Sequence, residues 1–521
     1  MNFAGLFRVT LPETALEVAA LVVLVADLGF LRKATLATRV TVAAALGVLG
    51  CVAALVLLPC AGSGGFSYGG ELLLASGGIA AVAQAGILVL TILTLLLFVG
   101  ASFTRHAAEY VAVVLMAAAG GLIVAAAQDL LVIFAGLELL SLGLYILTAF
   151  NKHCEKSSEA AMKYYLFGGM SAAFLLFGFS YLYGLSGTTN LYRMQYNIAE
   201  SGPVPLLYVA WVLIVAGLGF KIAAVPFHLW APDAYEGAPA PAAAFIASVS
   251  KIASFALLLT FSWNLLAPGG PISGQRWVVE HYLRAEYLTW QPLASILLVV
   301  AAVSMVVGNL AALAQTSVRR LLAYSAIAHA GYILLGIGVH ASYSGEGSPF
   351  QFFLATVPSA FGSSNAVLYY VLTYGLTTIG AFGVVQVVES ATGSDKLDAF
   401  LGLHKRNPVL AAVLLVLFLS LAGIPPLVGF WAKFNLFAAV LAAGAGPVPF
   451  ALVVLAIGLS AVSLYYYLQV LKRAYVLPAV SEEPIHAHPV TILVLAAIAA
   501  AVVVAGCFPA ILQTWIANAH I

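Results

Sequence analysis

Four charged residues sit in the middle of otherwise apolar runs. Glu138 lies in LVIFAGLELLSLGLYIL, Lys221 in GLGFKIAAV, Lys251 in AFIASVSKIA and Lys433 in GIPPLVGFWAKFNLF. An ammonium at the centre of a bilayer costs roughly 3 kcal/mol on insertion scales, and packing alone never requires it. Burial disfavours the charged form of a lysine, and a nearby carboxylate favours it. A buried lysine whose partner can move therefore takes up and releases a proton near neutral pH. That is the chemistry of a proton relay.

The positions differ in what they offer. Glu138 is nine residues into its run, a depth of about 14 Å at the helical rise and close to the midplane. An unpaired carboxylate there would be stranded, so it needs a cation, and Lys221 is the leading partner. Lys251 is twelve residues into its own run, again near mid-depth, within the polar group SVSK. Between Lys221 and Lys251 the chain is interrupted by Pro, Gly and Asp, and this break carries His228, Asp233 and Glu236. Lys433 follows a second break at Pro425-Pro426, which makes it the natural terminal site. Three further residues are secondary candidates. Lys163 opens an apolar run at its edge, where a lysine can reach the interface by snorkelling. His228 lies in the first break, and lone histidines on apolar segments are more often satisfied core groups than relays. His329 lies in SAIAHAGY, with Tyr324, Ser325 and Tyr332 on the same run to hold a short chain of water. Glu17, Asp27 and Glu389 fit structural or interfacial roles.

Helices must position these groups. A crossing takes about 20 apolar residues, and fourteen such runs occur, near 12–31, 40–58, 79–100, 110–127, 129–150, 160–185, 205–225, 240–262, 292–314, 319–340, 365–389, 409–443, 449–471 and 489–508. The fold expected is an all-α polytopic membrane protein with its seventh and twelfth spans broken. Both broken spans combine a proline with an embedded lysine, and they are five spans apart. Five is odd, so the two five-span units they belong to would be inverted relative to each other. The domain reading is one membrane unit over 1–521: helices one to three in 1–103, a first repeat over 104–262, a second over 291–473, and a last helix at 489–508. Loops after odd-numbered spans hold thirteen Lys and Arg residues, and the opposite side holds four, Arg8, Arg193, Arg276 and Arg284. By the positive-inside rule both termini then lie outside. Pro12, Glu13 and Glu17 interrupt any cleavable-signal pattern, so the first span is expected to stay.

Composition excludes other classes. The 521 residues are 63% hydrophobic and 8% charged, with mean hydropathy +1.06, where a soluble chain would carry about a quarter charged residues. A net charge of +1 argues against nucleic acid or a polyanionic substrate. The four cysteines form no CxxC pair and read as free thiols. There is no Walker loop, no GxGxxG after a strand and no clear histidine pair for haem. The expectation is that this chain holds no redox cofactor and hydrolyses no nucleotide, so a partner must drive any proton pumping.

The stretch KIAAVPFHLWAPDAYEGAPAPAAAFIASVSKIA closely resembles the signature of the antiporter-like membrane subunits of respiratory complex I, the proton-pumping NADH:quinone oxidoreductase. PFHLWAPDAYEGAP looks like the subunit N (subunit 2) type, and RRLLAYSAIAHAGYILLG, GIPPLVGFWAKF and LELLSLGLYIL agree over the whole length. Lys433 favours N over M, which usually has glutamate there, and no long helix after span fourteen argues against L. The resemblance implies Glu138 and Lys221 as input pair, Lys251 as central relay and Lys433 as outlet. Lys163 matches a further sixth-span lysine of the family. Span thirteen has no lysine to match Lys251 and offers Tyr465 to Tyr467 instead. It also implies fourteen helices with inverted five-helix repeats in a bacterial inner membrane. The implied partners are the antiporter-like subunit M and small K- and J-type subunits, with NADH, FMN, Fe–S clusters and quinone held in other chains. A subunit of a multisubunit cation/proton antiporter and a membrane-bound hydrogenase subunit share much of this pattern and stay open as alternatives.

Overall fold

A computed structural model describes residues 3–62, 64–101, 103–201, 204–266, 276–342, 363–443, 447–479 and 483–519. The chain is a helical bundle, and the apolar runs of the sequence lie on its helices. In order these are α1 (Phe3–Val9), α2 (Leu11–Gly29), α3 (Leu36–Leu57), α4 (Gly78–Phe98), α5 (Ala107–Ala126), α6 (Leu130–Thr148), α7 (Glu155–Ser186), α8 (Leu191–Ser201), α9 (Pro205–Ile222), α10 (Trp230–Gly237), α11 (Ala240–Leu266), α12 (Arg276–Leu313) and α13 (Val318–Ser342). There follow α14 (Ser363–Thr392), α15 (Pro408–Ala422), α16 (Val428–Ala443), α17 (Pro447–Tyr475), α18 (Pro489–Cys507) and α19 (Pro509–Asn518). Among the described residues, twelve helices are long and apolar enough to cross a membrane, or thirteen if α1 and α2, bent by 74°, act as one. The run at 409–443 forms two half-length helices, α15 and α16, of 15 and 16 residues.

Both expected breaks are present, and they are built alike. α9 stops at Ile222 and is capped by Ala223 in the left-handed region, φ 58°. α15 stops at Ala422 and is capped by Gly423, φ 89°. A left-handed residue at this position is the common way to end a helix, because it turns the chain back onto orphaned carbonyls. Ala223 N–H bonds Phe220 O at 3.0 Å, and Gly423 N–H bonds Leu419 O and Ser420 O at 3.1 and 2.9 Å. The tie across the first break is the indole of Trp230, which donates to Phe220 O at 2.9 Å.

One element departs from the all-α expectation. β1 (Phe66–Tyr68) and β2 (Glu71–Leu74) form an antiparallel hairpin between α3 and α4, turning at Gly69-Gly70 with φ 62° and 84°. Strands of three and four residues are too short for a period-two pattern to show in sequence. The hairpin belongs to one end of the bundle: Leu74 bridges to Ala127, Asp129 to Asn190, and Asn190 Nδ2 donates to Leu72 O at 2.7 Å. Asp129 also caps α6, accepting from Leu131 N at 2.9 Å.

Glycine seams bring backbones together where the charged helices must be held. On α5, a Cβ at Gly120 would lie 2.6 Å from Leu140 N of α6, and on α6 a Cβ at Gly143 would lie 2.6 Å from the Ala117 Cβ of α5. Between α7 and α9, Cβ atoms at Gly178 and Gly217 would lie 3.0 Å from Ala210 O and 3.1 Å from Ser171 O. Lipid gives helices no hydrophobic reason to associate, and small residues that permit close approach supply the packing instead.

Candidate functional site

α6 and α9 bring Glu138 and Lys221 together. Lys221 Nζ lies 3.7 Å from Glu138 Oε1, with side-chain exposures of 7% and 29%. Its shorter contact is to Ser141, whose Oγ accepts from Nζ at 2.5 Å while donating its own proton to Leu137 O at 2.5 Å. Ser141 is a site residue that the sequence reading missed. The available signal was its position three residues after Glu138, on the same helical face.

Lys251 and Lys433 have no carboxylate among their described contacts. The first is fully within α11, 2% exposed, and donates to Ala326 O of α13 at 2.7 Å with the Tyr374 ring 5.7 Å away. Lys433 on α16 has one acceptor for each of its three N–H groups. These are Leu421 O at 3.1 Å, Ala422 O at 2.9 Å and Ser460 Oγ of α17 at 2.8 Å, and the Tyr332 ring lies 5.6 Å away. The two carbonyls are the last of α15, so the broken helix aims its negative end at the ammonium. Freed carbonyls at a break are where a cation can be held without a counter-ion.

His329 shares the Tyr374 ring as a neighbour with Lys251 and the Tyr332 ring with Lys433. Its Nδ1 is 2.7 Å from the Tyr370 hydroxyl and its Nε2 3.4 Å from the Tyr467 hydroxyl, which is itself hydrogen-bonded to Ser325 Oγ. The polar neighbours expected on its own helix are thus only partly those found. Ser325 joins through Tyr467, whereas Tyr332 stands edge-on to the ring at 5.8 Å and accepts from Asn309 at 3.1 Å. Asn309 in turn accepts from the Tyr466 hydroxyl at 3.2 Å. Side chains on one helix diverge, so a ring within a bundle finds its partners on the helices facing it.

The remaining candidates lie elsewhere. Lys163 is 41% exposed and paired with Glu159 at 2.7 Å and Asp233 at 2.8 Å. Arg320 reaches Asp233 at 2.7 Å and Glu236 at 3.0 Å, and Lys156 reaches Glu236 at 2.9 Å. These charges ring a cavity of about 210 Å³ at one end of the bundle. Beside it, a second cavity of about 480 Å³ runs past Arg319 and Glu389. Arg319 pairs with Glu389 and donates to Glu236 O at 3.0 Å and Ala238 O at 2.7 Å, so it fastens the end of α10 to α13 and α14. His228 stands in the break with its Nδ1 buried. Asp27 is held by Arg39, and Glu17 is exposed. Among the described residues no group of three or more His, Cys, Asp or Glu could hold a metal ion.

Burial raises the Asp233 carboxyl, but hydrogen bonds from Lys163 and Arg320 outweigh it and hold the group below its ordinary 3.8. A depressed carboxylate contributes stability above its unfolded value and loses it as pH falls through the folded one. Asp233→Asn is therefore expected to lower the melting temperature of the detergent-solubilised protein at pH 7. The gap should begin to narrow as pH falls below about 4 and close only once it has fallen through the native carboxyl's own, lower value. Thermal scans of both proteins across pH check it.

The family described as NADH:quinone oxidoreductase/Mrp antiporter, TM, matches residues 127–270, 282–361 and 351–460, which hold Glu138, Lys221, Lys251 and Lys433. The chain belongs to that family. NADH-quinone oxidoreductase subunit N 2 of Acidobacterium capsulatum is 45% identical over 99% of both chains. Subunit N 1 of Roseiflexus castenholzii is 39% identical over 82% of this chain and 76% of that one. A chain of respiratory complex I from Thermus thermophilus, solved with bound aureothin, superposes with TM-score 0.74 at 31% identity, covering 96% and 98% of the two chains. The fold extends further within the family's reach. A chain of the Mrp complex from a Dietzia species shares it at TM-score 0.74 and 21% identity, over 98% of this chain and 51% of that one.

Proposed function

We propose that this chain is the subunit N type proton-translocating membrane subunit of a bacterial NADH:quinone oxidoreductase. The observation that carries the reading is a series of ionisable groups within the bundle, Glu138–Lys221, Lys251, His329 and Lys433, in a chain 45% identical over 99% of its length to a subunit N. Glu138 and Lys221 form the input pair, Lys251 and His329 the central relay and Lys433 the outlet. Spans four to eight and nine to thirteen act as inverted units, each contributing one broken helix. NADH oxidation and quinone reduction take place in partner chains that hold the FMN and Fe–S clusters.

The test is to purify the chain from its native membrane in mild detergent and identify what comes with it by mass spectrometry. An M-type antiporter-like subunit, small K- and J-type subunits and the redox chains of a quinone reductase are expected. Recovery of small cation-antiporter subunits in their place overturns the reading.

The proposed orientation puts both termini outside the inner membrane and the loop of Lys396, Lys405 and Arg406 in the cytoplasm, on the thirteen-to-four imbalance of basic residues. Single cysteines placed in that loop should resist a membrane-impermeant maleimide in intact cells and react after permeabilisation. Labelling in intact cells reverses the orientation.

A further inference from the structure

We infer that Ser141 is a positioning residue for the input pair: it holds Lys221 in place whether or not the lysine carries its proton, and leaves Glu138 as the partner that responds to charge. The inference rests on the proposed role of Glu138 and Lys221 in proton transfer.

Two contacts of one hydroxyl carry it. Ser141 Oγ donates to Leu137 O at 2.5 Å, so its hydrogen is committed to the helix backbone and its free lone pair is turned toward Lys221. Lys221 Nζ donates to that lone pair at 2.5 Å, while Glu138 Oε1 stands 3.7 Å away. An ammonium and a neutral amine both have N–H groups to donate, so the contact to Ser141 survives loss of the proton. The attraction to Glu138 is largely coulombic and vanishes with the charge. The two partners are three residues apart on α6 and face the same ammonium. Their surroundings differ: Ser141 is 3% exposed, whereas the Glu138 side chain is 29% exposed at the side of the bundle. A deprotonated Lys221 therefore stays where it is, and Glu138 is the group free to turn outward.

Without Ser141, the lysine has only Glu138. Without Glu138, it keeps a hydrogen-bond acceptor and is not stranded. Removing the hydroxyl and the carboxylate charge together leaves a buried ammonium with neither its close acceptor nor its counter-charge, the costly case for a buried charge. In the assembled complex, measured as NADH-driven proton uptake by membrane vesicles, Ser141→Ala is expected to slow translocation about threefold, the scale of one neutral hydrogen bond. Glu138→Gln together with Ser141→Ala is expected to fall about tenfold below the product of the single effects. Ser141→Thr, which keeps the hydroxyl, should restore most of the rate alone and in the Glu138→Gln background. Native gels check that every variant assembles. Effects that simply multiply, or a threonine variant that assembles and works no better than alanine, overturn the proposal while leaving the pair itself in place. Wild-type translocation by both Glu138→Gln and Lys221→Ala would instead remove the input pair, and Ser141's role with it.

Discussion

Lys433→Arg is expected to assemble normally and to translocate protons as poorly as Lys433→Ala, at about a tenth or less of the wild-type rate. The cradle around Lys433 suits a positive charge: two backbone carbonyls from the end of α15 and one serine hydroxyl take its three N–H groups. If a fixed charge were all the site required, arginine would supply it. An outlet must also let its proton go, against a potential of about 2.3 kcal/mol per charge per 100 mV. Arginine keeps its proton at any physiological pH, whereas a buried lysine can release it. Proton uptake in reconstituted vesicles, with assembly followed on native gels, separates the two. Wild-type pumping by the arginine variant would make Lys433 a fixed electrostatic element and move the end of the relay elsewhere.

The second large effect concerns the input pair. Glu138→Gln and Lys221→Ala should each impair translocation, and the double substitution should cost less than the two losses added together. Each single change removes one shared interaction, and the double change cannot remove it twice. Of the two, Lys221→Ala should be the more severe, because Lys221 keeps its contact to Ser141 when Glu138 is neutralised. A double-mutant cycle on proton uptake measures the coupling. Fully additive losses would mean that the 3.7 Å approach of the two groups has no functional consequence.

What could be read in the sequence was whatever membrane burial makes expensive. Glu138 and Lys221 could be paired because neither had another mate in an apolar unit, and the structure places them in reach of each other. The two breaks were legible as proline inside otherwise helical runs, and the carbonyls around Lys433 follow from the second of them. Ser141 was hidden because a serine on an apolar helix ordinarily bonds its own backbone, as this one also does. Tyr370 and Tyr467 were hidden because their link to His329 joins residues 41 and 138 positions apart in the chain. Lys163 showed the reverse difficulty. Its place at the edge of a run left it open between relay and interface, and the residues that bind it, Glu159 and Asp233, lie in a charged ring at the end of the bundle.

The glycine seams bear on how the input pair can open. α6 is pressed against α5 at Gly120 and Gly143, and α9 against α7 at Gly178 and Gly217, with no room for one added carbon at any of them. Sliding either helix along its neighbour would drive backbone into backbone, so the main chains carrying Glu138 and Lys221 form a fixed frame. Separation of the two charges is then left to torsions of the partly exposed Glu138 side chain, steps of about nanoseconds, rather than to the microsecond displacement of a helix. In such a frame the barrier to transfer is set by solvation of the charges and not by the stiffness of the bundle. Bilayers of different thickness or fluidity would then leave this first step nearly unchanged.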